Sequence, residues 1–143
     1  MSQAEIHFPR PRDLGKRQWG REILLVETSH YLGKRLEMKA GMAGGLQKHV
    51  QKDESFLLVS GCAALDTDDG AGALRRITLY PGTMVHVPPG VVHRVTALQD
   101  SIFYEWSSPH FDDRIRCEAE YGEPEVGGLP STHEPSPDAT GQP

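Results

Sequence analysis

Gln47, His49, Glu54 and His93 are the residues whose types and spacing could do metal chemistry. Gln47 and His49 are two apart, so on a strand they project from one face. Glu54 follows a short turn and stands at the start of the next strand. His93 follows the Pro88-Pro89-Gly90 turn, which aims it inward at a strand start. Inward nitrogen and oxygen donors of this kind make a pocket for one divalent metal ion, of the type of Zn, Mn or Fe. Gln is neutral and a weaker ligand than His. The set carries one formal negative charge, which favours an ion acting as a Lewis acid. Glu54 has a competing partner in Lys48 or Lys52, and Gln47 a competing role as hydrogen-bond donor to a ligand or water.

Glu105 is the candidate catalytic base. It lies in Ile102-Phe103-Tyr104-Glu105-Trp106. A carboxylate pointing inward between aromatics is desolvated, and its pKa rises toward that of a useful base. Alternation places Lys48 and Lys52 away from the metal and Arg94 opposite His93. His30, His86 and His110 lack partner spacing and read as structural or exposed. Trp19 and Trp106 read as core or interface aromatics.

Short β-like runs bounded by Gly, Pro and Asp must position these residues. They cover 22–28, 31–39, 46–50, 55–60, 62–67, 74–80, 84–87, 93–97 and 102–107. The segment from Asp66 to Gly72 is a hairpin-loop signal. Strands this short and regularly spaced indicate an all-β sandwich or barrel. One brief helix is expected around 112–120. The 143 residues suit one domain. Residues 1–18 are expected as a basic N-terminal arm, 19–121 as the folded domain and 122–143 as a disordered tail. The tail holds Glu123, Glu125, Glu134 and Asp138 without a Lys or Arg, and its few scattered apolar residues cannot offset its ordering entropy.

The net charge is -5 and the mean hydropathy -0.48. With the tail's acids set aside the body is nearly neutral, which argues against nucleic acid as partner. No apolar run approaches the roughly 20 residues a membrane-spanning helix needs, and Met1–Arg12 contains no secretory apolar core. A cytoplasmic protein is expected, with Cys62 and Cys117 as reduced thiols.

The sequence resembles the cupin superfamily. The residues that carry the likeness are Gly41, Gln47, His49, Glu54 and Gly61 in one segment, and Gly82, Pro88-Pro89-Gly90 and His93 in the other. The resemblance implies a double-stranded β-helix, or cupin jelly-roll barrel, with one metal inside and homodimer formation through the arm and a barrel face. Gln47 stands where most cupins have a first histidine, and Ala97 where an asparagine is frequent. The sequence is also similar to the cupin domain of type II mannose-6-phosphate isomerases. The matching residues are Leu46-Gln47, His49, Glu54, Val87 to Arg94, Glu105, Asp112-Asp113, Ile115-Arg116 and Tyr121-Gly122, with Trp19-Gly20 at the start. Val50 and Gln51 depart from that family's pattern.

The resemblance implies an aldose–ketose isomerase acting through an enediol on a small carbohydrate-like substrate. Gln47, His49, Glu54 and His93 would hold the metal and Glu105 would serve as base. Two other functions fit the same residues. His49, Glu54 and His93 alone form the ligand set of a non-haem iron dioxygenase, and a non-catalytic small-molecule-binding cupin needs only the pocket.

Overall fold

The structure, a computed structural model, describes residues 4–111 and 113–125. Among the described residues eleven strands form two antiparallel sheets. The first contains β1 (Arg12–Arg17), β2 (Gly20–Glu27), β3 (Leu32–Met38), β10 (Ser101–Ser107), β5 (Glu54–Ser60) and β8 (Met84–Val87), in that order. The second contains β11 (Arg114–Arg116), β4 (Gln47–His49), β9 (His93–Ala97), β6 (Ala63–Asp68) and β7 (Leu74–Leu79). This is a jelly-roll barrel, as expected. A 3-10 helix, Glu118–Tyr121, closes the described chain.

Alternation explains the barrel. In β5 the buried residues are Glu54, Phe56 and Leu58, and in β10 they are Ser101, Phe103, Glu105 and Ser107. Each strand gives every second side chain to the interior. The interior core contains Phe56, Leu58, Leu65, Leu79, Val87 and Phe103, with the Phe56 and Phe103 rings edge to face at 5.7 Å. Turn chemistry fixes the strand ends. Gly61 has φ +95°, and a Cβ there would lie 2.3 Å from the Asp100 carbonyl oxygen, so only glycine fits. Gly90, at φ +83°, ends the Pro88-Pro89-Gly90 turn, and its N–H donates to the His49 carbonyl at 2.7 Å. That bond ties the turn before His93 to the strand carrying His49.

Two expectations of local structure need correction. Residues 12–17, expected within an arm, form β1, which pairs with β2 and buries Leu14 against Leu24 and Leu32. The segment expected as a helix around 112–120 begins as β11, with Arg114 opposite His49 and Arg116 opposite Gln47. Only its end turns helical. The tail expected from residue 122 lies outside the described residues from 126 onward. Within them, the Glu123 carboxylate meets Arg94 at 2.8 Å. Among the described residues no helix is long and apolar enough to cross a membrane.

Candidate metal centre

His49 ends β4 and His93 begins its neighbour β9, with Gln47 directly opposite His93. Glu54 is the first residue of β5 in the facing sheet. The two sheets thus bring the sequence candidates together inside the barrel. One ligand atom from each of His49, Glu54 and His93 lies within 4.8 Å of the others, and all three side chains are buried.

Each imidazole is aimed by its outer nitrogen. His49 Nδ1 lies 3.0 Å from Asp113 Oδ1, and His93 Nδ1 lies 3.0 Å from the Val91 carbonyl oxygen. Both acceptors require N–H at Nδ1, which leaves Nε2 of each ring facing Glu54. His93 Nε2 is 2.8 Å from Glu54 Oε1 and His49 Nε2 is 3.6 Å from it. With Nδ1 protonated, the shorter contact needs a second proton. Burial works against the charged imidazole, but Glu54 outweighs it, and the His93 pKa is raised. For Glu54, burial is outweighed first by the Lys52 ammonium and then by the close His93 imidazole, and its carboxyl is held well below the usual range.

Two atoms test the fit to a metal. Gln47 Oε1 and His49 Nε2 are buried and have no hydrogen-bond partner. A buried acceptor left unpaired costs about 1–3 kcal/mol, and both atoms are of the kinds that ligate zinc-type ions. The donor set therefore fits a divalent ion.

Behind Glu54 lies a group that alternation did not foresee. Lys52 does not face away. Its ammonium is fully buried and sits 2.9 Å from both Glu54 Oε2 and Glu105 Oε1. It follows a turn, and strand parity restarts after a turn, so the pattern of β4 carries no information about it. Burial disfavours its charge, but the two carboxylates prevail and its pKa is raised. Glu105 points inward as expected. Burial pushes its pKa up to about 7 despite the attraction of Lys52, with Glu54 adding repulsion. The row of alternating charge continues across the sheet. Lys34 is opposite Glu105 on β3, its Nζ lies 2.8 Å from Glu22 Oε1, and Arg17 Nε lies 3.2 Å from Glu22 Oε2. Glu22 and Lys34 interrupt apolar alternation in β2 and β3, and that was the legible signal for them.

Asp113 was also missed as part of the site. Its second oxygen, Oδ2, accepts the backbone N–H groups of Gln51 and Lys52, each at 2.7 Å. One carboxylate thus orients His49 and shapes the turn that delivers Lys52. Asp112 lies outside the described residues. Arg94 does face away from His93, yet it is not a solvated arginine: it pairs with Asp66 at 2.9 Å and with Glu123. His86 is exposed and pairs with Asp53, and His110 contacts Ser108. Trp19 is buried in the core and Trp106 is partly exposed.

A cavity of about 80 Å³, open at its mouth, reaches the centre. Gln47, Glu54, His93 and Glu105 line one part of it. Trp19, Leu36, Met38, Phe56, Val95 and Phe103 line another.

The sequence matches no family model, and no curated protein matches it. Solved structures do. The capsular polysaccharide assembling protein CapF from Staphylococcus aureus matches with a TM-score of 0.66 and 19% identity, over 76% of this chain and 32% of that one. KdgF from Halomonas sp. matches with a TM-score of 0.58 and 20% identity, over 64% of this chain and 82% of that one. A cupin superfamily protein from Desulfitobacterium hafniense matches with a TM-score of 0.53 and 14% identity, over 73% and 83% of the two chains. The chain thus spans about a third of the length of CapF. These likenesses show that the chain has the fold of cupin proteins, and within that fold lies its own His-Glu-His group that could hold a metal ion. The finer similarity to mannose-6-phosphate isomerases rests on the sequence motifs alone.

Proposed function

We propose that this cupin domain is a metal-dependent isomerase that moves a proton between adjacent oxygen-bearing carbons of a small carbohydrate-like substrate. The observation that carries the reading is the pairing of two unlike groups in one cavity. Gln47, His49, Glu54 and His93 converge with two buried acceptor atoms unpaired. Glu105 lines the same cavity with a pKa pushed up to about 7 by burial. A general base works best when its pKa lies near the working pH.

A divalent ion held by Gln47, His49, Glu54 and His93 would supply Lewis acidity, stabilising the oxyanion that develops as an α-hydroxycarbonyl compound enolises. Glu105 takes the proton from the carbon that bears the hydroxyl and returns it to its neighbour through an enediol. Lys52 holds Glu54 and Glu105 at a fixed separation. Asp113 keeps His49 in the orientation a ligand needs. The sugar-related reading is supported by the likeness to CapF and by the motif similarity above.

Glu105→Gln tests the assignment. The variant keeps its metal and fold, loses about two to four orders of magnitude in turnover, and no longer exchanges the substrate's α-proton with solvent deuterium. Exchange at the wild-type rate would mean that another group is the base. His49, Glu54 and His93 also form a two-histidine-one-carboxylate group, which favours a second reading, a non-haem iron dioxygenase. Oxygen uptake by the iron-loaded protein, without anaerobic proton exchange on any sugar, would replace the isomerase by that reading.

The protein also forms a homodimer in this proposal. Ile6 and Phe8, at 86% and 90% exposure, stand out from the barrel. On the outer face of the six-stranded sheet, Met84, Leu57 and Tyr104 lie side by side on β8, β5 and β10. A second copy would cover both.

A further inference from the structure

The cavity's two linings differ in what they can satisfy. Gln47, Glu54, His93 and Glu105 can each exchange a hydrogen bond or a metal bond with an oxygen atom. Further along the same inner face of the six-stranded sheet that carries Glu54 and Glu105, Leu36, Met38, Phe56 and Phe103 line the cavity, with Trp19 from the β1–β2 turn. Of these side chains only the Trp19 indole N–H and, weakly, the Met38 sulfur can take part in a hydrogen bond. Two arginines complete the lining: the Nε and Nη2 of Arg94 are engaged by Asp66 and Glu123, and Arg114, on β11, is not free either. A fully hydroxylated ligand lying against this wall would lose water from hydroxyls that find no partner. A hydrocarbon body there would gain contact and lose nothing.

We propose that the site selects an α-hydroxycarbonyl compound whose oxygens are confined to the metal end and whose remaining body is apolar or deoxygenated. The inference rests on the reading of the metal centre and narrows the substrate class of the proposed isomerase. Leu36 and Phe103 are specificity-determining residues: they touch the body of the ligand rather than its reacting carbons. The selection is by exclusion, since a hydroxyl on that body meets no acceptor.

Two pyranones test it on the zinc-loaded protein. Allomaltol and kojic acid present the same hydroxy-ketone head and differ at one carbon, where a methyl in the first is a hydroxymethyl in the second. Neither can isomerise, so calorimetric binding reads the cavity alone. Allomaltol is expected to bind about tenfold more tightly, the scale of one hydroxyl left unpaired on burial. Leu36→Thr, at a partly buried position, should narrow that preference at least threefold. Equal binding of the two, preference for kojic acid, failure of the zinc-loaded protein to bind either, or a Leu36→Thr variant that keeps the full preference would each overturn the inference. Preference for allomaltol without proton exchange on any hydroxy-ketone would keep the inference and refute the enediol chemistry instead. Failure to take up zinc would remove both.

Discussion

Asp113 shows how much one side chain outside the proposed ligand set controls. Its carboxylate holds His49 Nδ1 at 3.0 Å and two backbone N–H groups of the 50–52 turn at 2.7 Å. Asp113→Ala is expected to lower metal affinity about 10–100-fold, the usual cost of losing such a partner. Competition with a chromogenic chelator measures it, and the imidazole nitrogen shifts of His49 should show mixed tautomers. An affinity within twofold of wild type would reject the role. At this scale the sequence was legible where strand parity applies without interruption. Gln47 and His49 share β4, and Glu105 faces inward on β10, as period two requires. Lys52 was not legible. Its position depends on a turn whose shape is set by Asp113, 61 residues away, and no local pattern encodes that distance.

At the scale of elements, β1 separates two views of the N-terminus. A basic composition suggested an arm, but Leu14 is 1% exposed and packs on Leu24 and Leu32. Leu14→Ala should therefore destabilise the protein by about 2–5 kcal/mol, read by denaturant unfolding, whereas a residue on a loose arm would shift nothing. The strand escaped sequence reading because one apolar residue among Arg and Lys gives no periodicity; its register comes from β2. β11 escaped for a related reason. It is three residues long, and its pairing with β4 outweighs the helical preference of the segment. The five-stranded sheet carries a further test in Asp66, buried on β6 between Arg76 and Arg94. Burial opposes its charge, but hydrogen bonds from the two arginines prevail, and the Asp66 pKa lies below its usual 3.8. A depressed carboxyl stabilises the fold fully above the unfolded-state value and ceases to do so as pH falls through the folded one. The melting temperatures of wild type and Asp66→Asn should differ at pH 7 and converge below about pH 4. A difference that persists unchanged at pH 2.5 would show that the ion pairs are not its source.

The whole molecule was the most legible level. Glycines at 41, 61, 82 and 90 adopt positive φ and bound the strands that the sequence placed between them. Turn chemistry is local, so it survives without knowledge of tertiary contacts. The proposed dimer was reached only through resemblance, and the exposed Ile6, Phe8, Met84 and Trp106 are what a second copy would cover. Light scattering should return twice the 15.8 kDa chain mass at micromolar concentration, and a mass of one chain over a wide range would reject the dimer. The claim on which the rest depends is the metal. Elemental analysis of protein purified without chelator tests it most directly, set beside a His49→Ala/His93→Ala double variant shown to be folded by circular dichroism. About one equivalent of divalent metal per wild-type chain and none in the variant is the expected result. Stoichiometric metal retained by the folded double variant would contradict the account.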